Sequence, residues 1–318
     1  MNEFDLIDRA FRQKLHFKHS LTRIPGGDDA SVHAVPAGLE LVVSTDMSLA
    51  GVHWPHDFPL EHAACRAVNA ALSDLAAMGA EACWVWVCAV LRDAAAGGQM
   101  GDGIAAALAG SGIELAGGDT VHAADNSLAV TVAGVVPQGK AMRRDRAQAG
   151  DDIWLCGRLG FAALALERWQ GGDHSDDAVR AFADVQPLIA QGVALRKAGV
   201  RCCIDVSDGL LADAAHLAEQ SCVGMEIDIS AIPSLAELQQ HVDPDDAAGL
   251  VLGGGEDYAL LCTAPESLRD SLSAHAVRIG RCVAGGSVRA LRHGVGIASS
   301  RRCRPALHHC RPMVLQYR

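Results

Sequence analysis

A strongly apolar segment, residues 68–80, constrains the fold of this chain more than any other part of the sequence. Leu72 and Leu75 belong to a set of apolar residues at helical spacing, and Gly79 is placed to end the helix. The segment therefore predicts a buried helix. Asp74 is its one acid and falls at the margin of the apolar stripe. A carboxylate there must be protonated, paired with a cation or bound to a metal, because an isolated buried charge is costly.

The length and composition favour a globular protein with two domains. The chain has 318 residues, half of them hydrophobic, which is enough for two separate cores. We expect the domains to cover residues 1–138 and 149–318. The net charge of −11 argues against a nucleic-acid-binding surface. The sequence shows neither an apolar run long enough for a membrane span nor a signal-peptide pattern, so we expect a cytoplasmic protein without membrane contact.

Acidic residues recur beside apolar strands and glycine-rich turns. Asp46 ends one predicted strand, Asp119 follows a second and Asp205 follows a third. Oxygen ligands without a matching set of His or Cys suit Mg²⁺, which carboxylates, water and phosphate oxygens hold together. The pattern favours metal-assisted phosphate chemistry, although some of these acids could instead cap the helix predicted near Leu210. The complete set is Asp28, Asp29, Asp46, Asp74, Asp119, Asp205, Asp208, Glu256 and Asp257.

The sequence contains none of the common nucleotide-binding motifs. It has no P-loop, no kinase-type glycine loop with a strand lysine and no dinucleotide fingerprint. Residues 140–146, which include Arg144, form the one dense basic stretch. Two interpretations of this stretch stay open: a solvated linker, or a clamp for the phosphates of a nucleotide. A nucleotide site in this chain must therefore be of an uncommon kind.

Seven segments resemble, in order, the motifs of the thiamine-monophosphate kinases, a family of the aminoimidazole-ribonucleotide-synthetase superfamily. The resemblance implies a two-domain fold of the α/β plus α+β class, with an N-terminal sheet that pairs across a homodimer. It also implies ATP-dependent phosphorylation of thiamine monophosphate to thiamine diphosphate by direct in-line transfer. The seven segments are residues 27–29, 44–46, 51–53, 72–80, 117–120, 204–209 and 254–258.

The resemblance also implies roles for individual residues. Several Mg²⁺ ions would be bound by Asp29, Ser44, Thr45, Asp46, Asp74, Asp119, Asp205 and Asp208. ATP would contact Gly118, Asp119, Arg144 and Ser207. The transfer itself would depend on Asp46, Asp74, Asp119 and Arg144. Thiamine monophosphate would contact His53 and Glu256, and Tyr317 is the nearest candidate for the aromatic residue that the family usually places against the thiamine rings.

Two other functions stay open at the level of the sequence. The first is a superfamily relative that uses the same ATP apparatus to activate another small substrate, such as an amide, a carbamoyl group or selenide. The second is a protein that binds thiamine phosphate or nucleotide without turnover. The matches at residues 72–80 and 254–258 favour the kinase.

Overall fold

The structure is a computed structural model, and it describes residues 7–296. Tyr317, predicted to stack on the thiamine rings, lies outside the described residues. The first half of the chain contains the helices α1 (Leu60–Ala77) and α2 (Ala94–Leu108). Its strands are β1 (Thr22–Ile24), β2 (Val32–His33), β3 (Leu39–Leu49), β4 (Glu81–Leu91), β5 (Glu114–His122) and β6 (Ser127–Pro137).

The second half of the chain contains most of the helices. Its strands are β7 (Asp152–Cys156), β8 (Cys202–Val206), β9 (Gly224–Asp228), β10 (Ala259–Ala264), β11 (Val277–Val283), β12 (Val288–Arg292) and β13 (Val295–Gly296). Its α-helices are α3 (Phe161–Gln170), α4 (Asp176–Ala183), α5 (Ile189–Ala198), α6 (Leu210–Ser221), α7 (Pro233–Leu238), α8 (Pro244–Gly253) and α9 (Arg269–Leu272). The domain limits predicted at residues 138 and 149 lie in the connection between β6 and β7.

The N-terminal sheet has four strands in the order β3-β6-β4-β5. Strand β6 is antiparallel to both of its neighbours, whereas β4 and β5 are parallel because α2 connects them. Helices α1 and α2 cover one face, which we call the inner face. The opposite, outer face is bare along β3, where Leu41, Val43 and Met47 are 51%, 54% and 57% exposed. This uncovered apolar edge distinguishes the N-terminal sheet from the other one.

The C-terminal sheet has seven strands in the order β13-β12-β9-β11-β7-β10-β8. Helices α6 and α8 cover one face, where Leu217 packs in the same cluster as Ile204. Helices α5 and α9 cover the other face, where Leu195 packs in the same cluster as Leu260. The pairing is antiparallel except between β9 and β12. The predicted α/β plus α+β class is therefore confirmed.

Helix α1 is the element that both halves share. Its residue Leu72 belongs to the core under the N-terminal sheet, whereas Ala76 and Ala77 belong to a core of the C-terminal sheet. Helix α5 crosses α1 at Gly192, where a Cβ atom would lie 2.1 Å from the carbonyl oxygen of Ala76. Only glycine permits that approach. The buried helix predicted from the sequence is confirmed, and Gly79 follows its end with a φ of +66°.

Candidate active site

Three predicted aspartates lie near one another where β3, α1 and β8 meet, and we call them the inner acids. They are Asp46 of β3, Asp74 of α1 and Asp205 of β8. Burial raises the pKa of Asp46 to about 6, and the negative charges of Asp74 and Asp205 contribute to that shift. The Ser44 hydroxyl donates a hydrogen bond to the Asp74 carboxylate. The structure thus brings together four of the predicted metal-binding residues.

Asp205 is the most deeply buried of the inner acids, at 5% exposure. Burial raises its pKa, a hydroxyl hydrogen bond from Ser73 acts in the opposite direction, and the Asp74 charge raises it further. Within residues 7–296, no Lys or Arg forms an ion pair with Asp46, Asp74 or Asp205. A paired cation, one of the alternatives open for Asp74, is therefore absent from the described residues. Crowded carboxylates of this kind favour binding of a cation.

A cavity of about 410 Å³ opens beside the inner acids. Ser44 and Asp74 line one side of it, and the basic stretch with Arg143 and Arg144 lines another. Arg143 is engaged with Asp145, with 2.6 Å between Arg143 Nη2 and Asp145 Oδ2. Arg144 forms no ion pair in the part of the chain that the structure describes, and its charge lowers the pKa of Asp205. The lining thus combines Asp74, one of the inner acids, with the arginine Arg144, a combination that suits phosphate groups accompanied by metal ions.

A larger cavity, of about 840 Å³, lies on the far side of α1. Cys65, Asn69 and Ala106 line it together with residues 180–187 of the second half. It contains none of the residues predicted for the site. We therefore place the active site at the smaller cavity, since the chemistry rather than the volume identifies it.

Asp119 and Asp29 do not join the inner acids, and we call these two residues the edge acids. Strand β5, which carries Asp119, is three strands away from β3, and this places the two about 14 Å apart. The register pairs Asp119 with Cys88, Cys88 with Ala129, and Ala129 with Met47. Residues paired in this way share a face, so Asp119 belongs to the outer face while Asp46 belongs to the inner face.

Asp29 lies on the same side of the molecule as Asp119. It is exposed in the loop between β1 and β2, and a Cβ atom at Gly26 of that loop would lie 2.6 Å from the carbonyl oxygen of Ala116 in β5. The loop therefore rests against the β5 edge. Thr45 is on the outer face of β3, where its hydroxyl lies 2.9 Å from the Thr131 hydroxyl. One chain alone thus leaves the predicted metal ligands in separate groups.

The predicted strand ends are wrong at two of these acids. Asp46 lies inside β3, which continues to Leu49, and Asp119 lies inside β5, which continues to His122. Glycines before Asp119 indicate a turn in the sequence, but pairing with β4 keeps them extended. A Cβ atom at Gly118 would lie 2.0 Å from the carbonyl oxygen of Val87. The sheet itself requires this glycine, and its contact with ATP stays a prediction.

The turn that carries Ser207 and Asp208 depends on an acid that the sequence analysis did not identify. One carboxylate oxygen of Asp213 accepts hydrogen bonds from the backbone N–H groups of Ser207, Asp208 and Gly209, at 3.1, 3.1 and 3.2 Å. The interpretation of Asp205 and Asp208 as caps of α6 is wrong, because the N-cap residue is Gly209 and no side chain of the described residues caps the helix there, while Asp213 holds the turn that precedes it. Burial and the Asp208 charge raise the pKa of Asp213 to about 7.

Asp208 itself lies in a separate group of possible metal ligands. Among the described residues, Asp208, Asp213 and His216 have donor atoms that all lie within 4.8 Å of one another. The inner acids are spaced more widely than this, which leaves room for water and phosphate oxygens around an ion. The separate role predicted for Asp208, binding a further ion, stays a prediction.

The predicted substrate residue Glu256 lies in a tight turn next to the inner acids. Its φ is +63°, and that of Tyr258 is +54°. The backbone N–H groups of these two residues donate to the carbonyl oxygens of Ser207 and Val206, at 2.7 and 2.9 Å. Glu256 also contributes to the raised pKa of Asp46, which confirms that the two carboxylates are neighbours.

Arg66 is the residue of this site that sequence reasoning missed. It is 4% exposed in α1, and its Nη2 atom donates to Glu256 Oε2 at 2.8 Å and to the Glu256 carbonyl oxygen at 2.7 Å. The available signal was that Arg66 is the one Lys or Arg in α1. Its partner is 190 residues away in the sequence, so no local pattern connects them.

The remaining predicted residues surround the same region. His53 lies in the turn after β3, and its Nδ1 atom accepts a hydrogen bond from the Leu49 N–H at 3.1 Å. Asp257 accepts hydrogen bonds from the N–H groups of Gly160 and Ala162, and so caps α3. Burial raises the pKa of Asp257 to about 6 despite these bonds. Asp257 therefore stabilises the turn and is not free for a metal.

The chain is similar to known proteins over most of its length. Residues 27–136 match the family described as AIR synthase related protein, N-terminal domain, and residues 148–292 match the corresponding C-terminal domain. The chain is 34% identical to thiamine-monophosphate kinase of Escherichia coli (strain K12) over 278 residues, which are 85% of each protein.

Two solved structures extend the comparison. The crystal structure of thiamine-monophosphate kinase from Stenotrophomonas maltophilia K279a has 35% identity and a TM-score of 0.83, covering 93% of this chain and 98% of that one. AaThiL complexed with AMPPCP and TMP has 23% identity and a TM-score of 0.73, covering 92% and 93%, and supports the fold alone. Within residues 7–296, no helix combines the length and apolar character needed to span a membrane. The chain belongs to the thiamine-monophosphate kinase family of AIR synthase related proteins.

Proposed function

We propose that the protein catalyses the ATP-dependent phosphorylation of thiamine monophosphate to thiamine diphosphate. The observation that carries this proposal is the cavity of about 410 Å³, beside the inner acids, whose lining includes both Asp74 and Arg144. The relatives named as thiamine-monophosphate kinases align over most of the chain. AaThiL, which shares the fold, is complexed with an ATP analogue and TMP in its structure. Nucleotide binding at a site without a P-loop is consistent with all of these observations.

We further propose that several Mg²⁺ ions bind the inner acids. The donors are all oxygen atoms, and the pKa of Asp46 is raised first by burial and then by the neighbouring negative charges, which divalent ions would relieve. Asp46, Asp74 and Asp205 would hold ions directly, with Ser44 beside them and Asp208 holding an ion separately. Bound Mg²⁺ would supply neutralisation of the charge on the two phosphates.

The residues of the chain have simple tasks in the transfer. The acceptor is a phosphate oxygen, which is already a nucleophile, so no strong general base is required. Arg144 would bind phosphate oxygens and align donor and acceptor in line, and Ser207 with the β5 segment at Gly118 would contact ATP. His53 and Glu256 would bind thiamine monophosphate, and Tyr317 stays a prediction for the thiamine rings. The cytoplasmic location also stays a prediction.

We infer that the active form is a homodimer joined through the outer face of the N-terminal sheet. The bare side chains of Leu41, Val43 and Met47 are an apolar patch of the kind that protein interfaces cover. A second copy packed there would bring its own edge acids towards β3 of the first. Thr45, on the outer face of β3, would then lie between the inner acids of one copy and Asp119 of the second. Each active site would contain residues of both chains.

The reaction is tested by turnover of the purified protein. With ATP, Mg²⁺ and thiamine monophosphate, we expect ADP and thiamine diphosphate in equal amounts, and neither product without thiamine monophosphate. Unphosphorylated thiamine serves as the control acceptor, and the Asp46→Asn variant serves as the control for contaminating ATPases. ADP formation without thiamine diphosphate would reject the proposed reaction.

A further inference from the structure

Arg66 makes contacts that the predicted site does not use. Besides the two hydrogen bonds to Glu256, its Nη1 atom donates to the carbonyl oxygen of Phe182 in α4. The guanidinium carbon lies 4.1 Å from the centroid of the Phe182 ring and 5.6 Å from that of Tyr258. The buried Arg66 side chain therefore connects α1 and α4 with the turn at residues 254–258.

These contacts leave Arg66 unable to act on a phosphate. The residue is almost completely buried, and its donors are already directed at two carbonyl oxygens and a carboxylate. A buried arginine of this kind is costly unless every charge is matched, as it is here by Glu256 at 2.8 Å. Any effect of Arg66 on the reaction must therefore pass through Glu256.

The backbone conformation of Glu256 explains why these contacts of Arg66 are needed. A non-glycine residue with a φ of +63° is strained, and the strain persists only where surrounding contacts impose it. Arg66 binds both the carbonyl oxygen and the carboxylate of this one residue, which fixes its backbone and its side chain together. Tyr258, the next strained residue, directs its hydroxyl at the same carboxylate oxygen at 3.4 Å.

The other carboxylate oxygen of Glu256 is left for a ligand. Arg66 and Tyr258 both address Oε2, and within residues 7–296 no hydrogen bond reaches Oε1. The carboxylate is partly exposed and adjoins Asp46. The negative charge of Glu256 repels phosphate groups and the neighbouring carboxylates, which are also anionic. Its complementary partner is therefore a cationic or N–H-bearing part of the acceptor.

We propose that Arg66 is a positioning residue that holds the Glu256 carboxylate in place to receive an N–H donor of the organic part of the acceptor. This inference rests on the proposed function, because thiamine monophosphate carries an amino group on its pyrimidine ring and a positive charge on its thiazolium ring. Arg66 thereby sets the affinity for the acceptor and leaves ATP binding unaffected.

Arg66→Lys and Glu256→Gln, alone and together, test the proposal by steady-state kinetics. Lysine keeps the charge and loses the forked pair of contacts. We expect Arg66→Lys to raise the KM for thiamine monophosphate about tenfold while kcat and the KM for ATP stay within about twofold. In the double variant, Arg66→Lys should add nothing to the effect of Glu256→Gln, because both remove the same contact.

Arg269→Lys is the matched control. Arg269 forms a forked ion pair with the fully buried Asp152, at 2.6 Å and 2.9 Å, on β7 away from the site. This variant should lower the unfolding temperature and leave every KM unchanged. A tenfold change of KM in Arg269→Lys, or multiplied effects in the double variant at Arg66 and Glu256, would overturn the proposal.

Amide hydrogen exchange tests, without any substrate, whether Arg66 holds the turn at residues 254–258. Residues 254–258 should exchange faster in Arg66→Lys than in the natural protein, and at an unchanged rate in Arg269→Lys. Failure of the natural protein to convert thiamine monophosphate would reject the proposed function, whereas the exchange result would still decide whether Arg66 holds the turn. Unchanged exchange at residues 254–258 in Arg66→Lys would overturn the positioning role.

Discussion

The inner acids and the edge acids have the same chemistry but opposite surroundings. Asp205 is buried and Asp46 is held among like charges, so the fold concentrates negative charge there. Asp119 and Asp29 are exposed, and Asp119 accepts a local hydrogen bond from the Thr120 N–H at 2.8 Å. In the proposed metal site, one chain would therefore supply the buried half by itself. The edge acids lie on an exposed surface that a second copy could approach.

The largest expected effect comes from the inner acids. Asp46→Asn or Asp74→Asn should lower kcat by about 10²–10³-fold, because each removes a charge that would hold Mg²⁺ against the phosphates. The metal-free protein should be at least as stable as before, since a repelled carboxylate is gone. Activity assays and thermal unfolding in EDTA measure both results. Asp125→Asn, in an exposed loop, is the control, and near-normal activity of Asp46→Asn would remove the metal assignment.

A mixing experiment tests whether the inner acids of one chain and the edge acids of a second chain form one site. Asp46→Asn and Asp119→Asn should each be inactive, but coexpression in equal amounts should restore about a quarter of normal activity. Half of the dimers would contain both variants, and each of these would have one intact site of two. The mixture of Asp46→Asn with Asp74→Asn should stay inactive, since both residues lie in the same chain's half of the site. No recovery in the first mixture would place the edge acids outside the site.

A smaller effect is expected from the apolar edge of the outer face. Leu41→Glu should shift the protein from dimer to monomer and lower activity about tenfold at low protein concentration, with recovery at high concentration. The monomer should stay folded, because the side chain is half-exposed in one chain, although it loses the stabilisation that association gives the dimer. Light scattering gives the mass, and Val295→Glu, at an exposed apolar residue of the C-terminal sheet, is the control. A fully active monomer would contradict composite sites.

Within one chain, the structure brings the inner acids together and leaves the edge acids apart, and the sequence predicts only the first of these. Apolar periodicity in α1 and the acid in β3 are local patterns, which assign Asp74 and Asp46 to one predicted site. Strand order is not local, and nothing near Asp119 in the sequence shows that β5 lies at the edge opposite β3. Alternation along β3 did carry a usable signal, because it separates Thr45 from Ser44 and Asp46 by face.

Arg66 is a second case in which the local sequence does not show the partner of a residue. An arginine in an apolar helix predicts that some partner exists, but the partner is in a turn that follows β8 and α8 in the chain. The role of Asp213 is not predictable from the sequence, because it depends on the path of the backbone at residues 207–209. The chemistry of a site residue can therefore be predicted from the local sequence. The residues that hold it in place come from elements that meet only in the folded protein.

The smallest expected effect is a pH dependence of stability to which Asp46, one of the inner acids, contributes. The folded-state pKa of Asp46, about 6, lies above the ordinary value of about 3.9, so the folded protein binds this proton more tightly than the unfolded chain. The corresponding stability is fully present below about pH 4 and is lost as the pH rises through 6. Two pKa units amount to at most about 3 kcal/mol, less the part that water screens.

In EDTA, the unfolding temperature should therefore fall by a few °C between pH 5 and pH 7. Asp213 and Asp257, whose pKa values are also raised, contribute in the same direction, so the decisive quantity is the difference from Asp46→Asn. That variant should show a shallower fall, whereas Asp119→Asn should match the natural protein. Saturating Mg²⁺ should stabilise the natural protein more at pH 7.5 than at pH 5.5, because the ion competes with the proton for the same carboxylates. Equal slopes in Asp46→Asn and the natural protein would show that the inner acids are not crowded in solution, and the contrast with the edge acids would be lost.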